Sequence, residues 1–300
     1  MNIVVTGVGF LGKHLTSHLR SLGYDPYSVT RQAYNLRQIS HIEALFKHTG
    51  PIDILYHLAA NVGGIQYNLD NPGTIFYDNV MMTTQLIHQA MLHGVGKFIM
   101  IGSVCSFPAY PPMPTNERHL WTGYPEESNG AYGVSKLVAL AQLQAYHKQY
   151  KLNFAYPILA NLYGPGDSGF TDKAHLVPSL IKKFVSNPNE VVMFGKGELS
   201  RDFLYVEDAA EALVKLIDVD YPEPLTIATG IEVSKRNLVR AIVEATNYQG
   251  KVTWDGKKDR GQLKRSYDVH EMKRVLKWSP QTDINTGIKK TVEWYKESIR

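Results

Sequence analysis

Tyr132 and Lys136 stand four residues apart in the stretch YGVSK, a spacing that puts both side chains on one face of a helix. A nearby ammonium favours a phenolate, so the pair predicts a tyrosine whose pKa is lowered toward useful proton transfer. Ser103 lies just beyond an apolar run, at a place where its hydroxyl could hold a substrate carbonyl. Near the start of the chain, TGVGFLG at residues 6–12 places Gly7, Gly9 and Gly12 as G-x-G-x-x-G. The first glycine permits a tight turn, the second lets the backbone approach a pyrophosphate, and the third allows a helix to close on a strand. The amides at that helix N-terminus then face the phosphates. A dinucleotide turn followed by serine, tyrosine and lysine is the equipment of a carbonyl oxidoreductase.

The second strand closes on Ser28-Val29-Thr30-Arg31, with no carboxylate to meet a free ribose 2′-hydroxyl. The forked cation of Arg31 suits a 2′-phosphate. NADP(H) is therefore the expected cofactor.

These groups need a scaffold, and the hydrophobic pattern supplies one. Short apolar runs at 3–6, 27–30, 53–57, 98–101 and 154–159 alternate with helix-period segments at 11–22, 39–48, 73–93 and 131–150. That alternation predicts an α/β fold, a Rossmann-like doubly wound parallel sheet. Residues 108–125 carry five prolines and read as a long irregular loop, the kind that usually serves function. Beyond Tyr163 the charges thicken, and helices are expected at 174–185, 206–218, 235–246, 269–276 and 285–297. This second part reads as a smaller C-terminal α/β substrate lobe over the carboxyl ends of the strands. The expected division is a nucleotide domain at 1–165 and a substrate lobe at 166–300, with part of 200–230 returning to the first domain.

Composition narrows the class. With 44% hydrophobic and 20% charged residues in a 300-residue chain, a sizeable core can form without staples. The single cysteine, Cys105, excludes an internal disulfide and a multi-cysteine zinc site, and no metal is expected. It fits a reducing, cytoplasmic setting. No apolar run is long enough to span a membrane. The net charge of +4 is weak, and a basic stretch from Lys257 to Lys277, with Tyr267 its single aromatic, does not read as a nucleic-acid surface. Taken alone, Cys105 reads as a small buried hydrophobe and His175 as a surface histidine.

The chain resembles the extended short-chain dehydrogenase/reductase (NAD-dependent epimerase/dehydratase) superfamily over essentially its whole length. TGVGFLG, HLAA at 57–60, Ser103, YGVSK, NLYGPGD at 161–167 and RDFLYVEDAAEA at 201–212 carry the likeness. The glycine turn is one residue shorter than the usual G-x-x-G-x-x-G. Within the superfamily the chain is most similar to the GDP-L-fucose synthase family, through VGGIQYN at 62–68, GSVCSFP at 102–108, NLYGPGD and KAHLVPSLIKKF at 173–184. The lead-in TDKAHLVP departs from that family's asparagine-rich approach.

The resemblance implies an NADPH-dependent 3,5-epimerase and 4-reductase acting on a GDP-4-keto-6-deoxy-hexose. It implies Ser103, Cys105, Tyr132, Lys136 and His175 as catalytic residues, with Cys105 and His175 exchanging protons at carbon. It implies a cofactor held by Gly7, Val8, Gly9, Phe10, Leu11, Gly12, Arg31, Ala59, Leu159, Asn161 and Leu162, together with Tyr132, Lys136 and His175. For the sugar nucleotide it points to Asn161, Lys183, Arg201, Lys264 and Arg265, and for assembly to a homodimer. Other readings stand beside these. Lys183 and Lys264 could be ordinary surface charge, and Arg201 could form an ion pair with Asp202. The chain could be a plain 4-ketoreductase, an enzyme for another nucleotide-linked 4-keto sugar, or a non-catalytic NADP sensor.

Overall fold

The computed structural model describes residues 1–167, 175–257 and 262–299. The first part runs β1 (Ile3–Thr6), α1 (Phe10–Ser21), β2 (Tyr27–Val29), α2 (Ile39–Thr49), β3 (Ile54–His57), α3 (Ile65–Asp70), α4 (Pro72–Leu92), β4 (Lys97–Met100), β5 (Gly102–Ser103), α5 (Gly130–Tyr150), β6 (Phe154–Leu159) and β7 (Asn161–Tyr163). The second runs α6 (Leu176–Ser186), β8 (Glu190–Met193), β9 (Ser200–Arg201), β10 (Phe203–Tyr205), α7 (Val206–Lys215), β11 (Pro224–Ile227), β12 (Val233–Ser234), α8 (Lys235–Thr246), β13 (Lys251–Trp254), α9 (His270–Leu276) and α10 (Ile284–Ser298).

The predicted apolar runs form strands because they bury both faces. Every residue of β1, β3, β4 and β6 is buried, as a parallel sheet covered on both sides requires. The sheet has seven strands in the order β11-β6-β4-β3-β1-β2, with β5 also paired to β6, and its pairings are parallel. Its helices pack in two groups, α4 with α5 and α2, and α1 with α7. The chain steps from β1 to β2 on one side and returns to β3 on the other. That reversal opens a crevice at the carboxyl ends of β1 and β3.

Several boundaries moved for identifiable reasons. The helix expected at 206–218 stops at Lys215, because buried Lys97 gathers the carbonyls of Leu216, Ile217 and Val219. Residues 65–70 fold as α3, which sequence periodicity did not indicate, and Pro72 then opens α4. The helix expected from Ala174 is observed as α6 from Leu176, and Ala174 lies outside the described residues, as do Lys173, Lys258 and Arg260.

β11 hydrogen-bonds β6, so residues 224–227 belong to the main sheet. A second apolar cluster gathers Tyr163, Ile181, Phe184, Met193, Leu238, Ile242, Ile288 and Val292 from the later elements. There the strands pair in twos, β7 with β10, β9 with β12 and β8 with β13. The long 108–125 loop is tied at its neck, where Ala109 N donates to Tyr124 O at 2.9 Å. It is also stitched to the late chain, with Thr115 N donating to Ser266 O and Asp268 N to Thr115 O, both at 2.9 Å. No described helix is long and apolar enough to cross a membrane.

Candidate active site

Each glycine of the turn meets a different local demand. Gly7 has φ +82°, and a Cβ there would lie 2.3 Å from Ala59 N. A Cβ at Gly12 would lie 2.5 Å from Gly7 O, so this glycine lets α1 close on the turn. A Cβ at Gly9 would meet nothing within 4 Å. The second glycine therefore faces open space, where a pyrophosphate could approach the backbone. Gly9 N donates to Gly7 O at 2.9 Å, and α1 begins at Phe10 with no side-chain cap and no acid in its first turn. Its free amides remain available to an anion. The shortened turn fits a dinucleotide phosphate.

Beside the turn lies a cavity of about 520 Å³ at the ends of β1, β2 and β3. Gly7, Val8, Gly9, Arg31 and Ala59 line it, and Arg31 is exposed there. Phe10, Leu11 and Gly12 continue into α1. Leu159 ends β6 in register with Ser103, and Asn161 and Leu162 follow in β7. Leu159 therefore sits beside Ser103, and none of the three lines that cavity.

The polar wall of the cavity carries residues that no sequence motif singles out. Arg37 Nη1 sits 3.0 Å from Asp78 Oδ1, and Asn61 Nδ2 donates to Asp78 Oδ2 at 2.9 Å. Asn79 takes the Asn61 amide at 2.9 Å, and the Tyr67 hydroxyl donates to Asn61 Oδ1 at 2.9 Å. Asp78 and Asn79 are adjacent buried polar residues on α4, whose buried face also carries Thr83 and Gln89 among Ile75, Leu86, Ile87 and Ala90. That adjacent polar pair was the available signal. His57 of HLAA is a buried strut, bonded to Thr6 at 2.8 Å and Thr83 at 3.0 Å. Burial, then the charge of Lys136, lowers its pKa to about 3, so the ring is neutral.

The reactive residues converge from β5 and α5. Ser103 Oγ accepts the Cys105 amide at 3.2 Å, capping the short turn Val104–Ser106. The Ser103 side chain also hydrogen-bonds Tyr132. Lys136 Nζ stands 5.5 Å from the Tyr132 ring centre, and both residues are buried. Gly133 explains the closeness of helix and turn, since a Cβ there would lie 2.3 Å from Cys105 O. Ser106 Oγ donates to Gly133 O at 3.1 Å and Tyr156 OH to Lys136 O at 2.8 Å, fixing the helix against turn and sheet. Cys105 is a free, half-buried thiol within electrostatic reach of Tyr132, Arg201 and Tyr267.

The expected lowering of the tyrosine pKa is corrected by burial. Removal from water pushes the Tyr132 phenol well up, a charge on Cys105 would push it further, and the Ser103 hydrogen bond opposes both. Burial also brings Lys136 down to about 8. Sequence spacing counts the neighbouring charge but not the lost solvation, and here desolvation is the larger effect. The phenol is held protonated, as a proton donor must be.

The remaining expected site residues separate. His175 lies at the N-cap of α6, its Nδ1 3.2 Å from both carboxylate oxygens of Asp167. That pairing raises its pKa, chiefly through the hydrogen bond, against the opposing effect of burial. Arg201 does not pair with Asp202. Its Nη1 donates to Ser200 O at 2.7 Å and Gln262 O at 2.8 Å. The Asp202 carboxylate instead accepts from Thr229 N at 3.0 Å, Thr229 Oγ1 at 2.7 Å and Gly230 N at 2.8 Å. Burial and then the nearby Arg265 lower the Arg201 pKa to about 10, so the two guanidiniums share one locality. Arg265 Nε donates to Gln262 Oε1 at 2.7 Å.

Asn161 spends its side-chain amide on Asp202 O at 2.9 Å. Lys183 is exposed and donates to the Val192 carbonyl. Lys264 is exposed and lies 3.9 Å from Glu232. Both lysines have local partners that account for them as surface charge.

The profile of the NAD dependent epimerase/dehydratase family matches residues 3–228. A putative GDP-L-fucose synthase 2 of Arabidopsis thaliana is 31% identical over 298 residues, covering 97% of this chain and 90% of the relative. A GDP-L-colitose synthase of Yersinia pseudotuberculosis is 28% identical, covering 98% of each chain. The crystal structure of an NADP-bound GDP-L-fucose synthetase from Naegleria fowleri superimposes with a TM-score of 0.92 at 28% identity, covering 99% of this chain and 93% of that one.

Proposed function

The chain belongs to the NAD dependent epimerase/dehydratase family, and within it we propose that the protein is an NADPH-dependent 3,5-epimerase and 4-reductase of a GDP-4-keto-6-deoxy-hexose, yielding GDP-L-fucose or a close relative. The observation that carries this reading is the thiol of Cys105 beside the Ser103–Tyr132–Lys136 centre. A simple carbonyl reductase needs the last three and has no use for a thiol. The GDP-linked sugars named for the Arabidopsis, Yersinia and Naegleria proteins support the substrate class.

A ketone at C4 acidifies the protons at C3 and C5. Ser103 and Tyr132 hold the C4 oxygen and hydrogen-bond the enolate oxygen as it forms. Cys105 and His175 exchange the carbon-bound proton, one removing it and the other returning it on the opposite face. A thiol ordinarily titrates at about 8.5 and an imidazole at about 6.5, close enough to neutrality for either duty. When bound, NADPH supplies hydride to C4, and its pyrophosphate fits the amides of the Gly7–Gly9 turn. Tyr132 then gives its proton to the C4 oxygen, with Lys136 sustaining the charge left on the phenolate. Arg201 and Arg265 bind the sugar pyrophosphate. Asn161, Lys183 and Lys264, each engaged with a local partner, are given no part in that contact.

Incubation with NADPH and GDP-4-keto-6-deoxy-D-mannose in D₂O, followed by NMR of the product, tests the reading. Deuterium at both C3 and C5 with loss of nicotinamide absorbance is expected. Reduction without deuterium would reassign the protein as a 4-ketoreductase, and no consumption of NADPH would favour a sensor.

Arg31 sets the coenzyme choice in this reading. Arg31→Ala is expected to lower kcat/KM for NADPH by about 10-fold or more while sparing NADH, because one charge-assisted contact to a 2′-phosphate is lost. Steady-state kinetics with both coenzymes checks this, and an unchanged ratio would remove Arg31 from the cofactor site.

A further inference from the structure

The turn before α6 is built for one purpose that the sequence motif does not disclose. Gly164 and Gly166 have φ of +150° and +86°, backbone shapes that favour glycine. His14 of α1 braces the turn from outside, its Nε2 2.7 Å from Pro165 O. The result is a fixed Asp167 whose side chain is 5% exposed, against 51% for His175. A buried carboxylate needs partners to remain charged. Among the described residues its side-chain partner is the His175 ring, with Nδ1 at 3.2 Å from each oxygen.

We propose that Asp167 is the positioning residue for His175: it fixes the ring in the Nδ1–H tautomer and leaves Nε2 to exchange a proton with substrate carbon. The inference rests on the reading of His175 as a proton carrier given above. A hydrogen bond at one ring nitrogen decides which nitrogen is free for chemistry. The carboxylate also stabilises the imidazolium that forms whenever Nε2 takes a proton. Among the described residues, the other titratable groups near the dyad do not replace it. From α1 the titratable group at the turn is His14, bonded to a carbonyl, and α6 itself carries Lys182 and Lys183 beyond its first turn. The dyad thus ties the proton carrier at the head of α6 to a turn anchored on the helix that follows the glycine turn.

The test is ¹⁵N NMR of the full chain labelled at histidine, titrated through neutral pH without cofactor, with the His175 signals identified by their loss in His175→Asn. Wild type is expected to show the Nδ1–H tautomer and a midpoint above the ordinary histidine value. Asp167→Asn is expected to lower that midpoint by about one unit or more. It should also cut kcat for deuterium exchange at carbon by about 10-fold or more with KM unchanged. Asp167→Asn combined with His175→Asn should be no slower than His175→Asn alone. A wild-type ring in the Nε2–H tautomer would overturn the proposal without any variant being needed. So would full exchange activity in Asp167→Asn alongside loss in His175→Asn. Full exchange activity in His175→Asn would instead overturn the reading of His175 beneath it, while the wild-type tautomer still reports on the pairing itself.

Discussion

Tyr132→Phe is expected to slow NADPH consumption by about 10³-fold while leaving NADP⁺ affinity within a few-fold of wild type. The substitution removes one oxygen from a residue that is 9% exposed and keeps the ring that Lys136 faces at 5.5 Å. Little packing is disturbed, so the loss reports the proton. Burial already holds the phenol protonated, and Lys136 is still mostly an ammonium at neutral pH with a pKa near 8. With phenylalanine, the C4 oxygen keeps only the Ser103 hydroxyl, and the developing alkoxide has no acid beside it. Single-turnover absorbance at the nicotinamide band, with cofactor affinity from fluorescence titration, separates chemistry from binding. Reduction at more than a tenth of the wild-type rate would remove Tyr132 from the proton path.

The strands and the cofactor turn were legible because their causes are local. A parallel strand buried on both faces must be apolar throughout, and the 3–6 and 154–159 runs became β1 and β6 without a shift. The order of Gly7, Gly9 and Gly12 alone sets apart a tight turn, an open backbone and a close helix approach, and the fold shows a positive φ at Gly7, open space at Gly9 and contact of Gly12 with Gly7 O. Ser103, Cys105, Tyr132 and Lys136 lie together in the fold, and Gly133 supplies the reason they can meet.

What escaped depends on contacts closed only by the tertiary fold. Asp78 meets Arg37 across 41 positions, and Arg201 gives up its neighbouring carboxylate because Asp202 is captured by the turn at 229–230. The direction of the Tyr132 shift was missed because spacing shows a lysine but not the water that burial removes. Asp167 stood in plain view within NLYGPGD. Nothing local said that its carboxylate would face a ring eight residues later, since the two glycines that shape the turn show their φ values only in the fold.

Cys105→Ser separates epimerisation from reduction, and it should do so by a large factor. Deuterium incorporation at C3 and C5 is expected to fall by about 10²-fold or more, the share of a lost general acid or base. A thiol titrating at about 8.5 can accept or give a proton near neutrality, and a serine hydroxyl cannot. The exchange of sulfur for oxygen leaves the backbone that organises the centre, because the amide of residue 105 still donates to Ser103 and its carbonyl still faces Gly133. A 4-keto sugar supplied already inverted at C3 and C5 should therefore be reduced far faster by this variant than one that must first be epimerised. The ratio of those two rates is the decisive quantity. If serine at 105 leaves it at the wild-type value, the thiol is packing and the Ser103–Tyr132–Lys136 centre works as a plain reductase. If the ratio rises by the expected factor, the half-buried sulfur beside Tyr132 is what adds proton exchange at carbon to an otherwise ordinary carbonyl-reducing site.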